Sequence, residues 1–515
     1  MSTPLRDIVI VGGGSAGWLT AGILASDHRV RDNPAVRITL VESPDVRTIG
    51  VGEGTWPSMR DTLRRIGVSE SEFIASCNAS FKQASRFAGW RSGEAEDHYY
   101  HPFSAPQGFG EVNLVPAWLR LGEQARFADQ VSFQPRLCEH GRAPKQKVTP
   151  EFAAVANYAY HLDAVKFGDF LQAHCVDRLG VRYQPAHVQG IRAHENGDIA
   201  GLETPEAGTI AGDLFIDCTG FSSLLLHRHY GIPLERVSNI LFCDTALAAQ
   251  VPYADPNDPI ASHTLGTARA AGWIWDIGLP TRRGVGYVYS SAHTSHEQAR
   301  ETLLDYLRRS GATVEPEPRR IELNPGYRKT FWHRNCVAVG LSAGFVEPLE
   351  ASALALIELS AKMISDDLPP NRELMDVVAR RFNDRFRYRW GRIVDFLKLH
   401  YALSGRGEQF WVDNRRADSI PDRLRELLEL WRFRPPGGRD FPDTEEVFPA
   451  ASYQYVLYGM GFRPEPPSHP LRLDDPEAAR RGLQTVAQTA RKYLAGLPAN
   501  RELIEHVRTQ GLPRV

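Results

Sequence analysis

A chain of 515 residues, 42% of them hydrophobic, is long enough to bury a sizeable core and to hold about three domains of ordinary size. Its 60 Lys and Arg balance 62 Asp and Glu, so nothing in the charge calls for nucleic acid or an acidic membrane surface, and the expected partner is a small molecule. Six cysteines, at 77, 138, 175, 218, 243 and 336, make no C-x-x-C pair and no regular spacing, which argues against a zinc site or disulfide framework and for reduced, buried thiols.

The first apolar strand follows Met1 so closely that no secretory leader fits before it, and no later run reaches the roughly 18 apolar residues of a membrane span. A cytoplasmic protein without membrane or metal partners is therefore expected. That strand, Ile8-Val-Ile-Val11, leads into Gly12-Gly-Gly-Ser-Ala-Gly17 and an apolar helix, matching G-x-G-x-x-G at Gly12, Gly14 and Gly17. Glycines there allow a sharp turn and close approach to a pyrophosphate, while the free N–H groups at Ser15, Ala16 and beyond face its charge. The next strand, Val36–Glu42, ends in an acid where a ribose hydroxyl would be bound, so an adenine dinucleotide is the expected cofactor.

Farther along, Gly50-Val-Gly-Glu-Gly-Thr-Trp-Pro-Ser58 reads as a loop whose backbone, at Gly50 and Gly52, approaches the flavin side of such a cofactor. Residues 58–66 and 70–80 read as helices leading to Phe81-Lys82. Alone, Lys82 is a solvated charge; among Phe81, Phe87 and Trp90 it can equally be an ammonium in a partly dry place. Residues 91–150, rich in Gly, Pro, His and aromatics, read as a long excursion over the substrate. A helix is predicted over 158–179 and a meander over 181–214 with a hairpin at Glu195-Asn-Gly-Asp198, before a second nucleotide-domain strand that reaches Asp217. Residues 239–290 alternate as strands, with Trp273 and Trp275 on one face, as core or as a cavity wall. A third strand runs to Gly340, and Pro348 predicts a helix start that would hold a small anion, with Glu350 beside it as a helix-dipole carboxylate or a functional acid. Long helices follow over 376–401 and 424–431; 448–462 reads as an aromatic loop and 476–508 as helix.

Together GGGSAGW at 12–18, GVGEGTWPS at 50–58, the Phe81-Lys82 strip, Trp273-Ile-Trp275 with Ile277, and GFVEPLE at 344–350 resemble the tryptophan halogenases, flavin-dependent enzymes. The resemblance covers nearly the whole chain and thins after about residue 400. It implies a mixed α/β, two-domain FAD-binding fold of the aromatic hydroxylase and halogenase type with a mainly helical C-terminal region. The expected division is a core over 1–434, with nucleotide parts near 1–60, 150–220 and 320–370, and a helical subdomain over 435–515.

The implied chemistry is halogenation of an electron-rich arene, indole or an indole derivative, with reduced FAD, oxygen and chloride or bromide. Lys82 would receive hypohalous acid and direct the halogen; Glu350 would stabilise the cationic ring and take its proton. The amides of Ser352 and Ala353 would bind halide, His101 and Phe103 would stack on the indole, and Trp273 and Trp275 would bar substrate from the flavin. Gly12, Gly14, Ser15, Ala16, Gly17, Glu42, Gly50, Gly52, Asp217 and Gly340 would hold FAD. A separate flavin reductase would supply reduced flavin, and a homodimer is left open. Glu350-Ala-Ser-Ala353 departs from the family's E-S-T-G, and no C-terminal tyrosine-and-acid grip for an amino-acid end is recognisable in 448–462, so indole or a larger indole-bearing molecule is favoured over free tryptophan. The alternative is an aromatic hydroxylase of the same fold.

Overall fold

The computed structural model describes residues 4–33, 35–46, 52–443, 445–466 and 468–514. The chain forms two compact units, each assembled from three separated stretches: the first from Met1–Asn78, Leu162–Val237 and Asn324–Trp390, the second from Ala79–His161, Ser238–Leu323 and Gly391–Val515.

The first unit is built on a six-stranded sheet, in the order 332–333, 336–338, 214–217, 7–11, 37–42 and 182–185. Strand Asp7–Val11 lies in parallel between Leu214–Asp217 and Arg37–Glu42, with Ile8 opposite both Leu214 and Ile38. Ile8 to Val11 are all buried, as a strand covered on both faces requires. Helix Ser15–Asp27 is buried from Gly17 to Ala25 and packs against helices Ala164–Leu179 and Ser352–Asp366. The meander predicted over 181–214 is present as three antiparallel strands at 190–193, 199–204 and 208–211, with Gly197 at positive φ in the expected hairpin turn.

The helix predicted over 158–179 is in fact a strand, Ala159–Asp163, followed by helix Ala164–Leu179. The Asp163 carboxylate accepts from the amides of Val165 and Lys166, and this cap sets the boundary where the apolar pattern alone runs on. The helix expected after Pro348 starts at Ser352, past a turn in which the Pro348 carbonyl accepts from the Ala351 amide.

The second unit is organised by a seven-stranded sheet, in the order 319–322, 245–252, 282–289, 272–278, 263–269, 84–88 and 98–102. The alternation read over 239–290 corresponds to four of these strands. Helix His296–Arg309 opens with a Ser295–Gln298 capping box and lays Leu303, Leu304 and Leu307 on Leu247, Ile274, Val285 and Tyr287. Residues 91–150, read as an excursion over the substrate, carry a strand, His98–Pro102, and three short helices between 115 and 139. One expectation fails here. Residues 448–462 are not a loop but hold helix Ala450–Gly459, in which Ala450 to Tyr458 are all buried; a helix covered on every side has no polar face and so no 3.6-residue period to read. Among the described residues no helix is long and apolar enough to cross a membrane.

Candidate active site

In the first unit the glycine turn has the shape its sequence predicts. Gly12 has φ +112°, and a Cβ there would lie 2.2 Å from the Cys218 carbonyl; one at Gly17 would lie 1.9 Å from the Gly12 carbonyl. Neither position accepts a side chain. A Cβ at Gly14, by contrast, would meet nothing within 4 Å, so the turn opens toward free space at that point. Gly14 caps the helix of Ser15 and Ala16 without a side-chain hydrogen bond and no acid stands in its first turn, leaving its amides to an anion. Glu42, at the end of its strand, leans over Gly13 with its carboxyl pushed up by partial burial. This donor and acceptor set fits the pyrophosphate and ribose of a dinucleotide.

Other predicted cofactor contacts behave differently. Gly340, at φ +72°, brings its backbone so near helix Ser15–Asp27 that a Cβ would stand 2.8 Å from Ala16 Cβ. Asp217 is wholly enclosed: its oxygens accept from the amides of Thr219, Leu225 and Leu226 and the hydroxyls of Thr219 and Ser342, at 2.6–3.1 Å. That carboxylate organises the loop after its strand, and its acceptor sites are filled by protein donors. Gly52 begins the short strand Gly52–Gly54, where burial pushes the Glu53 carboxyl up to about 7; Gly50 lies outside the described residues. Glu350 and Ser352 are buried, and Ala351 between them takes φ +54°, ψ +41°. Helix Ser352–Asp366 therefore begins with no side-chain cap and no acid in its first turn, which leaves the amides of Ser352 and Ala353 open to a small anion.

In the second unit Lys82 closes strand Ser80–Lys82 and is 1% exposed, so the solvated-charge reading does not hold. Its Nζ lies 5.4 Å from the centre of the Phe103 ring. The backbone brings these residues together, since the Phe103 amide donates to the Gln83 carbonyl and Ser85 pairs with His101 on the adjoining strands. His101 Nε2 and Ser452 Oγ are 2.9 Å apart, and the Tyr455 ring stands 6.2 Å from the imidazole. Trp273 and Trp275 share a face of strand Gly272–Gly278 with ring centres 6.4 Å apart, and Trp273 also meets Trp90. Gly286 makes room for Trp275, for a Cβ there would fall 2.1 Å from the indole.

The chain matches the family model described as tryptophan halogenase over residues 7–475. The tryptophan 6-halogenase SttH of Streptomyces toxytricini is 34% identical to it, over 96% of this chain and 97% of that protein. The structure is similar to that of a tryptophan halogenase from Shewanella frigidimarina NCIMB 400, with TM-score 0.96, 50% identity and coverage of 100% and 99% of the two chains. It is also similar to BrvH, a flavin-dependent halogenase from Brevundimonas sp. BAL3, with TM-score 0.85, 32% identity and coverage of 98% and 99%. The chain belongs to the tryptophan halogenase family.

It is a flavin-dependent halogenase, its cofactor is FAD and its inorganic substrate is halide. Several residues that meet the predicted site residues were not themselves singled out from the sequence. Ser452 and Tyr455 come from the helix read as a loop. His161 lies diagonally across an antiparallel pair from Lys82, because Ser80 pairs with His161 and Lys82 with Ala159, and the two side chains share a face. Its Nε2 is 2.8 Å from Thr264 Oγ1, and burial, with Lys82 and His263 nearby, pushes its pKa well down. Trp56 donates its indole N–H to the Glu350 carbonyl at 2.7 Å. The Trp-Pro pair in the loop was a visible signal; its partner 294 positions away was not.

Proposed function

We propose that this halogenase installs chlorine or bromine on an indole ring, free or carried by a larger molecule, with Lys82 directing the halogen. The carrying observation is the burial of Lys82 beside Phe103, with His101 on the adjoining strand: an amino group held against aromatic surface and away from water is placed to meet a ring and an electrophile. Two of the relatives named above, SttH and the Shewanella frigidimarina protein, are tryptophan halogenases by name, which supports an indole ring as the organic substrate.

The turn at Gly12, Gly14 and Gly17, the amides of Ser15 and Ala16, and Glu42 hold FAD. When bound and reduced, that cofactor would supply the two electrons and two protons by which oxygen, halide and one further proton become hypohalous acid and water. The amides of Ser352 and Ala353 hold the halide beforehand. Lys82 Nζ receives the hypohalous acid, by hydrogen bond or by exchanging an N–H for an N–halogen bond with release of water. A ring carbon then donates its π pair to the halogen as the halogen's bond to oxygen or nitrogen breaks, the oxygen leaving as water with a proton from Lys82, or the Lys82 nitrogen keeping the pair. The resulting arenium cation loses its proton to a carboxylate, the role we give Glu350, and aromaticity returns. His101, held by Ser452, and Phe103 orient the ring. Trp273 and Trp275 bar the arene from the oxidising chemistry, so that halogen, and not oxygen, reaches carbon. A separate flavin reductase supplies the reduced flavin.

Incubating the protein with indole, FAD, a flavin reductase, NADH and bromide is expected to give a singly brominated product by mass spectrometry. Lys82→Ala should lower its formation by more than about 100-fold while hypobromous acid, trapped with a thioether, continues to form. An oxygenated product without halogen would overturn the reading, and unchanged regioselective bromination in Lys82→Ala would overturn the role of Lys82.

A further inference from the structure

Ala351 stands in the left-handed region, φ +54° and ψ +41°, between the buried residues Glu350 and Ser352. A Cβ disfavours that conformation, and it persists only where surrounding contacts over-determine it. Two hydrogen bonds do so. The Ala351 amide donates to the Pro348 carbonyl at 3.0 Å, and the Trp56 indole N–H donates to the Glu350 carbonyl at 2.7 Å. The same loop is tied again farther down the helix, where Ser58 Oγ donates to Glu358 Oε2 at 3.1 Å and the Thr62 hydroxyl to Glu358 Oε1.

The left-handed residue decides where helix Ser352–Asp366 begins. If Ala351 relaxed to right-handed geometry, the helix could extend backward by about half a turn, and the Ala353 amide would then donate to the carbonyl of residue 349. An amide consumed inside the helix no longer meets an anion. The Glu350 carbonyl would also turn toward the helix ladder, away from the indole donor.

We propose that Trp56 is a positioning residue for halide: by holding the Glu350 carbonyl it keeps Ala351 left-handed and the Ser352 and Ala353 amides unspent. This rests on the halide role given to those amides. It predicts that removing the indole N–H weakens halide binding without disturbing FAD, and that removing the conformational penalty at Ala351 makes the indole bond dispensable.

The test uses the FAD-loaded protein in halide-free buffer, with bromide affinity read from the rise in melting temperature on titration and from the bromide KM. Trp56→Phe should weaken bromide roughly tenfold by both readouts, with kcat at saturating bromide and FAD retention within about twofold of the parent. Adding Ala351→Gly, which takes the left-handed region freely, should recover at least about threefold of that loss. Ala351→Val, whose branched side chain opposes the left-handed region, should weaken bromide by an independent route should Trp56→Phe fold poorly. Ala353→Pro, which deletes one proposed halide donor at a position in the first helical turn that accepts proline, tests the underlying assignment. Unchanged bromide affinity in Ala353→Pro would overturn the halide role itself. A loss there, with Trp56→Phe and Ala351→Val both unchanged, would overturn the role of Trp56 alone, as would failure of Ala351→Gly to rescue.

Discussion

A carboxylate that accepts from three backbone amides and two hydroxyls is fixed in place, and Asp217 is such a group. Placed at the end of a parallel strand beside a glycine turn, it invites assignment as a cofactor ligand from sequence. Its neighbours use its acceptors instead, to fold the chain from strand Leu214–Asp217 into the turn at Gly220–Ser222 and the tight helix Leu224–His229. Asp217→Asn would turn an NH2 group toward some of these donors, and burial denies water as a substitute. We expect it to cost about 2–4 kcal/mol, visible as earlier unfolding in urea; an unchanged unfolding midpoint would remove this account. Lys82 illustrates the opposite case. Its side chain reads as an ordinary surface charge by type, and only the aromatic residues around it in sequence hinted at the burial observed.

At the scale of elements, the join between helix Ser58–Arg65 and helix Ser352–Asp366 carries a pH dependence. The Glu358 carboxyl is buried between them with the Ser58 and Thr62 hydroxyls, and burial pushes it up to about 7. Because the folded state then holds this proton more tightly than the unfolded chain, stability is greatest below the unfolded value near 4.5 and falls as pH rises to about 7. Full ionisation would remove on the order of 3 kcal/mol. Glu358→Gln, neutral at every pH, should therefore gain stability relative to the parent between pH 4.5 and 7 and hold that difference above it. Parallel unfolding curves for the two proteins at pH 5 and pH 8, with a constant gap, would contradict the shift.

Legibility at this scale followed solvent exposure. Helix Asp422–Trp431 has an apolar stripe of Leu424, Leu427 and Trp431 and a polar face, each readable locally. Helix Ala450–Gly459 has none of these, because tertiary burial removed the polar face by which an amphipathic helix is recognised. With that helix went Ser452 and Tyr455, the groups that seat His101. The strand Ala159–Asp163 was hidden differently: its apolar residues merge with those of the next helix, and the one local marker of the boundary is the cap at Asp163.

For the molecule as a whole, an oxidant-generating enzyme must keep its own thiols out of reach. All six cysteines are free and buried. Burial pushes the Cys138 and Cys175 thiols up to about 12, and those of Cys77, Cys218 and Cys336 upward as well, so little thiolate is present at neutral pH. In the native protein at pH 8 none of the six should react with Ellman's reagent within minutes, and all six should react in guanidinium. A rapid native reaction at any position would show a thiol more accessible than the fold provides.

The sequence by itself determined the nucleotide turn and the identity of the family, because the glycine spacing, the apolar strand before it and the short motifs around Lys82, Trp273 and Glu350 act over a few residues and leave their signature in order along the chain. What only the tertiary structure decided is which partner each of these groups meets. Trp56 reaches the Glu350 carbonyl across 294 positions, Asp217 is claimed by protein donors, and His161 shares a face with Lys82 through strand register. Hydrogen bonding, burial and register are properties of the folded chain, set by packing between stretches that carry no record of one another in their order.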